Sequence, residues 1–97
     1  LHHRPFRLAD EAAVVELWRR CDLLRPWNDP HKDIRRKLAV RPDLFLVGER
    51  PPGRVVATVM AGYDGHRGWM NYLAVAPELQ HSGLARELVT EVERRLL

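Results

Sequence analysis

Apolar residues recur along this chain with two periods. Val14, Leu17, Trp18 and Cys21 fall at i, i+3, i+4 and i+7, one face of a helix. Asp10 precedes them and reads as the N-cap, with Glu11 in the first turn, where the helix dipole favours negative charge. Asp29-Pro30 marks a second start, with Asp as cap and Pro at the first helical position. Ile34 and Leu38 form its apolar stripe, and Arg35, Arg36 and Lys37 are assigned to water. A third helix opens at Gly83 and carries Leu84, Leu88, Val92 and Leu96 along one side. Strands are expected at Pro5–Ala9, Leu44–Glu49, Arg54–Tyr63 and Trp69–Ala76, the last stopped by Pro77. Arg54–Tyr63 is apolar on both faces, with Val55, Ala57, Val59 and Ala61 on one side and Val56 and Met60 on the other. Such a strand is covered from both sides. Leu23–Asn28, Arg50-Pro51-Pro52-Gly53, Asp64–Gly68 and Glu78–Ser82 are turns or loops. The predicted order is β-α-α-β-β-β-α, an α/β fold with a mixed sheet whose last three strands are antiparallel neighbours.

The chain has 97 residues, the size of a single domain with a thin core. Hydrophobic residues make up 45% and charged residues 30%, a globular balance. The longest apolar run, Val55–Ala61 broken by Thr58, is far short of the ~20 residues of a membrane span. Leu1–Arg7 is polar and no signal-peptide core follows. Cys21 is the one cysteine, so no internal disulfide forms, and the expected location is cytoplasmic. It reads as a small core residue rather than a nucleophile. The net charge is +3, and the basic pairs are spread over three predicted helices, which does not call for nucleic acid. The start at Leu1 rather than Met, and the end at Leu97 inside a helical pattern without a stop signal, suggest a piece of a longer chain.

The segment with chemistry runs from Tyr72 to Val89. A strand ends, a short loop follows and a helix begins at Gly83. The first turn of a helix leaves backbone N–H groups unpaired and carries partial positive charge, so a loop that aims them at one point suits an anion such as a pyrophosphate. Gly83 permits close approach, Ala85 is small, and Gln80, His81 and Ser82 can add hydrogen bonds. No G-x-x-x-x-G-K-[ST] is present, and Gly62, Gly65 and Gly68 do not spell G-x-G-x-x-G. Gly65-His-Arg-Gly68 matches the G-x-x-G of KH domains but joins two strands, where the KH loop joins two helices. His2, His3, His31, His66 and His81 show no metal-ligand spacing, so no metal is expected.

Gln80-x-x-Gly83-x-Ala85, after Leu73-Ala74-Val75 and before an amphipathic helix, resembles motif A of the GNAT superfamily of acyl-CoA N-acyltransferases. Cys21–Pro30 and Gly62–Gly68 resemble more narrowly the bacterial YpeA-type acetyltransferases. The resemblance covers the N-terminal two thirds of that fold. It implies acetyl-CoA as co-substrate, with no metal, and transfer of the acetyl group to a primary amine of a small molecule or protein N-terminus by direct attack on the thioester. It also implies that backbone groups of Leu73, Ala74 and Val75 pair with the pantetheine arm. Gln80 and the backbone of His81, Ser82, Gly83, Leu84 and Ala85 would hold the pyrophosphate. The family fold continues with a fifth strand, a further helix and two more strands. A Tyr that serves as general acid in many members lies in that continuation. Where some branches place a Glu, this chain has Trp69, Met70 and Asn71, so no catalytic residue is assigned.

Other residues have competing readings. Asp64 and His66 precede the fourth strand, near an acceptor entrance, but an Asp-Gly turn with a solvated His is favoured over a base. Tyr63 and Tyr72 could equally donate to substrate or satisfy their hydroxyls internally. Trp27 is a candidate acceptor contact, Asp29 is more simply a cap, and Arg25 is more simply solvated. Two rival functions stay open: a non-catalytic acyl-CoA-binding module or inactive remnant, and an interaction domain that forms a homodimer through an exposed fourth-strand edge.

Overall fold

A computed structural model describes residues 2–51, 53–63 and 65–96. The elements are β1 (His2–Pro5), α1 (Glu11–Arg20), α2 (Pro30–Ala39), β2 (Phe45–Arg50), β3 (Arg54–Tyr63), β4 (Gly68–Val75) and α3 (Leu84–Leu96). Short 3-10 turns at Leu8–Asp10, Pro42–Leu44 and Pro77–Leu79 lead into α1, β2 and the loop before α3. The sheet is antiparallel in the order β1-β2-β3-β4. This is the α/β architecture expected from the hydrophobic pattern.

β3 is covered on both faces. Val56 and Met60 pack with Val14, Leu17, Trp18 and Ile34 from α1 and α2. Ala57, Val59 and Ala61 pack with Leu88 and Val92 of α3. Val55 departs from the expected alternation and joins the α1–α2 side. The β2–β3 register shifts at Gly48/Glu49, which pair with Ala57 and Val55 and leave Val56 as an extra residue. A bulge of this kind breaks the strict two-residue period.

The first strand also differs from expectation. Residues 2–5 pair with β2, from His2 opposite Glu49 to Pro5 opposite Leu46. Leu8 and Ala9, expected to end the strand, and Asp10, expected to cap α1, form a 3-10 turn. The cause is an ionic cluster. The Arg4 guanidinium donates to both Asp10 carboxylate oxygens at 2.8 and 2.9 Å and to Glu49 Oε2 at 2.7 Å. Asp10 Oδ2 also accepts the Arg7 N–H at 2.8 Å. Asp10 therefore closes the turn and pins it to the sheet, and it makes no side-chain cap to α1. Asp29 is a cap as expected, accepting from His31 N–H at 2.9 Å and from Lys32 N–H.

β4 carries a second bulge. Thr58 pairs with Ala74 and Met60 with Asn71, so Tyr72 and Leu73 together oppose Val59. Tyr72 takes a left-handed φ of 53°. Two hydrogen bonds hold it there, the first buried and the second partly so: Trp18 Nε1–H donates to Thr58 Oγ1 at 2.9 Å, and the Thr58 hydroxyl donates to the Tyr72 carbonyl at 2.9 Å.

Replacing Thr58 by the isosteric Val strands a buried N–H and a carbonyl. At about 1–3 kcal/mol for each unsatisfied group, Thr58→Val should lose about 2–6 kcal/mol in denaturant unfolding. A loss under about 0.5 kcal/mol would mean that neither group depends on the hydroxyl.

The Arg4 guanidinium holds the Asp10 carboxyl below the usual carboxylate range, against the opposing effect of burial. A carboxyl depressed in the folded state stabilises fully above its unfolded pKa, about 3.9, and loses that contribution as pH falls through the folded value. The stability gap between wild type and Asp10→Asn should be widest at neutral pH and close below about pH 4. A gap independent of pH would contradict this.

Candidate functional site

The loop between β4 and α3 is built in steps. Ala76 N–H bonds back to Val56 O at 2.8 Å and ends the strand pairing. Pro77–Leu79 then turns, with Leu79 N–H on Ala76 O at 2.8 Å. The base of the turn is held by Glu78, which pairs with Arg20 of α1 and Arg54 of β3. Gln80 Nε2 donates to Val75 O at 3.1 Å, and the Ser82 hydroxyl donates to Leu79 O. His81 and Gly83 have left-handed φ values of 66° and 88°. Gly83 O accepts the Glu87 N–H at 3.1 Å and so starts the helix. The amides that follow Gly83 lie in the first turn and have no partner within the helix.

These steps open a cleft of about 400 Å³ lined by Leu73 and Val75 of β4, Leu79, Gln80 and His81 of the loop, and Gly83, Leu84 and Ala85. Seven of the nine residues singled out from the sequence meet there; Leu79 was not among them. Ala74 is buried in the core on the α1–α2 side, and the Ser82 side chain is used inside the loop. A Cβ added to Gly83 would meet no atom within 4 Å, so the space in front of it is open. β4 is an edge of the sheet among the described residues, so its outer backbone groups have no strand partner there.

A second cavity of about 560 Å³ lies between α2 and β4, with Leu73 as a wall common to both. Its polar lining includes Asp33, Arg36, Lys37, Asn71 and Tyr72. The Tyr72 hydroxyl donates to Asp33 Oδ2, and its ring stacks on Trp18 with centroids 3.9 Å apart. Burial, then the Asp33 bond and charge, push the Tyr72 phenol up to about 12, so it stays protonated at neutral pH. The expectation that Lys37 faces water is corrected: it is 5% exposed, with its amine 5.0 Å from the Trp69 ring centroid. Its aliphatic stem lets a helix position of polar type lie against β4. Gly62 makes room for this arrangement, since a Cβ there would come within 2.2 Å of Trp69 Cζ2. Asp33 and Lys37 were missed because helical charges read as solvated; their i, i+4 spacing, which places both on one face, was the available signal.

The remaining candidates lie elsewhere. Trp27 is 78% and Tyr63 63% exposed, and neither lines these cavities. His66 is exposed and lines neither; Asp64 lies outside the described residues. Arg25 bonds locally to Asp22 and Leu24 carbonyls. Cys21 packs at the core margin with its thiol on Val75 O at 3.2 Å, and burial pushes that thiol up, away from a reactive thiolate. Among the described residues no group of three or more His, Cys, Asp or Glu could hold a metal ion, and no helix is long and apolar enough to cross a membrane.

The model of the acetyltransferase (GNAT) family matches residues 12–97. The chain belongs to the GNAT acetyltransferase family. It is 54% identical over 94 residues to an acetyltransferase of Pectobacterium atrosepticum, covering 97% of this chain and 66% of that protein. The chain thus spans just under two thirds of that relative's length. Its fold is similar to that of a chain in the NatC complex bound to Gag peptide and CoA, with a TM-score of 0.79 and 21% identity over 98% of this chain and 65% of that one. It is also similar to a GNAT family acetyltransferase from Brucella melitensis in complex with acetyl-CoA, with a TM-score of 0.71 and 20% identity over 98% of this chain and 67% of that one.

In this GNAT chain the Gly83 conformation is testable by itself. A left-handed φ costs a residue with a Cβ about 1–2 kcal/mol, so Gly83→Ala should lose that much in denaturant unfolding. The open space leaves no clash to add. No loss would place Gly83 outside the left-handed region.

Proposed function

We propose that residues 1–97 form part of an N-acetyltransferase domain that binds acetyl-CoA along β4 and the N-terminus of α3. The reaction would move the acetyl group to a primary amine by direct attack on the thioester. The observation that carries this reading is the convergence of Leu73, Val75, Gln80, His81, Gly83, Leu84 and Ala85 on one cleft at a helix N-terminus. The open space at Gly83 fits a bulky anion there, because backbone amides can approach it without side-chain hindrance. Gln80, tied to Val75 O, shapes the loop entrance. The β4 edge offers extended backbone to an amide-bearing arm, as an added strand would use it.

When bound, acetyl-CoA would supply an activated acetyl thioester; this chain would supply placement. The bulge at Tyr72–Leu73 lies between the two cavities, so an acyl group at the end of the β4 edge would meet an amine held beside α2. Tyr72, kept neutral with its one hydroxyl proton on Asp33, offers an acceptor oxygen at that junction and holds the Asp33 carboxylate in place. The acetyl-CoA and CoA complexes among the proteins of similar fold are in keeping with this reading.

Thermal unfolding with acetyl-CoA, and with ATP as an anion control, tests it. Ligand at about 100 times its Kd adds about 2.7 kcal/mol, of the order of 10 °C in Tm for a domain this size. An increase with acetyl-CoA but not with ATP is expected. A clean transition that acetyl-CoA leaves unmoved overturns the assignment.

A further inference from the structure

The cavity between α2 and β4 is lined by a lysine that no carboxylate contacts directly among the described residues. Lys37 is nineteen-twentieths buried by its 5% exposure, yet it lines an open cavity. Among the described residues its amine has no ion pair or hydrogen bond, and its contact is the face of Trp69. The nearby carboxylates make their direct contacts elsewhere, although the Asp43 charge still acts on Lys37 from a distance. Asp43 is paired through both oxygens with Arg41 at 3.1 and 2.9 Å. Asp33, one helical turn before Lys37, takes the Tyr72 hydroxyl and lies 3.4 Å from Arg36. Two cations, Arg36 and Lys37, therefore line the cavity against one carboxylate, Asp33.

The Lys37 stem is buried while its amine reaches the open cavity, and a partly desolvated ammonium there favours an anion beside it. The cavity volume of about 560 Å³ is that of a small-molecule site. Lys37 and Asp33 are one helical turn apart, about 5–6 Å between Cβ atoms, so a ligand bridging them carries its two charged ends a few bonds apart.

We propose that Lys37 seats the carboxylate of the acceptor, so that the substrate class is a small primary amine carrying a carboxylate, its amine on the Asp33–Tyr72 side of the cavity. This assignment rests on the amine-acetylation reading for its sense as a substrate site, while the binding itself does not need that reading. Lys37 is a specificity-determining residue here, and Trp69, given room by Gly62, fixes where its amine points. Burial lowers the Lys37 pKa from its ordinary value, and a bound carboxylate would draw it back up.

Calorimetric titration of the chain with β-alanine and 4-aminobutyrate, against their primary amides and against 3-aminopropylphosphonate, reads the proposal. The amino acids should bind at least about tenfold more tightly than the amides, the range of a charge-assisted hydrogen bond. Lys37→Met should erase that preference while acetyl-CoA still raises the Tm, which also reports that the variant is folded. Lys37→Arg should keep the preference. Equal binding of acids and amides, no binding of either while acetyl-CoA raises the Tm, or a preference that survives in Lys37→Met would each overturn it. Tighter binding of the phosphonate than of either carboxylate would overturn the carboxylate assignment. A carboxylate preference lost in Lys37→Met, with no acetyl-CoA response in wild type, supports the anion seat and removes the transfer reading alone.

Discussion

The hydroxyl of Thr58 is the point on which the rest of the molecule turns. It accepts from Trp18 on α1 and donates to the carbonyl of Tyr72 in the β4 bulge. One buried group thus locks a helix to the central strand and a strained residue to its neighbour. A bulge adds a residue to one strand and bends it, so something must hold the unpaired carbonyl. With that carbonyl held, Tyr72 stacks on Trp18 and reaches Asp33 across the α2 face. The core and the cavity between α2 and β4 share this network.

The bulge also decides where the two cavities part. Leu73, the second residue of the bulge, faces both. On one side β4 runs on to the loop and the N-terminus of α3, where positive character comes from backbone amides and the helix dipole. On the other side it comes from the side chains of Arg36 and Lys37 on α2. These fields differ in kind. A helix N-terminus spreads partial charge over several N–H groups and suits a polyanion; a single ammonium is a point charge and suits one anionic group.

Ionic anchors keep these parts in register at the periphery. Arg4 bridges Asp10 and Glu49 and so ties the turn into α1 to the first two strands. Glu78 joins Arg20 and Arg54 beneath the loop that leads to α3. Exposed pairs of the second kind contribute little stability, but they fix the loop's approach to the helix. The partly buried Arg4 cluster does more, because breaking one partner leaves a charge with poor access to water.

Much of this was legible in residue order. The periods of Val14–Cys21, Ile34–Leu38 and Leu84–Leu96 gave the helices, the two-faced run Arg54–Tyr63 gave the central strand, and Gln80, Gly83 and Ala85 marked the loop that forms the cleft. These are local properties, set by backbone geometry and by the face each residue must bury. Contacts distant in sequence decided the remainder. The first strand lies at His2–Pro5 because Arg4 meets Glu49 forty-five positions away. Val55 changes face because a bulge alters the pairing period. Lys37 is buried because Trp69 comes to lie against it in the space Gly62 leaves. Sequence by itself determined which segments could be helix or strand and where a helix N-terminus would open. Only the tertiary structure decided which charges lose their water, because desolvation depends on what packs against a residue rather than on what precedes it.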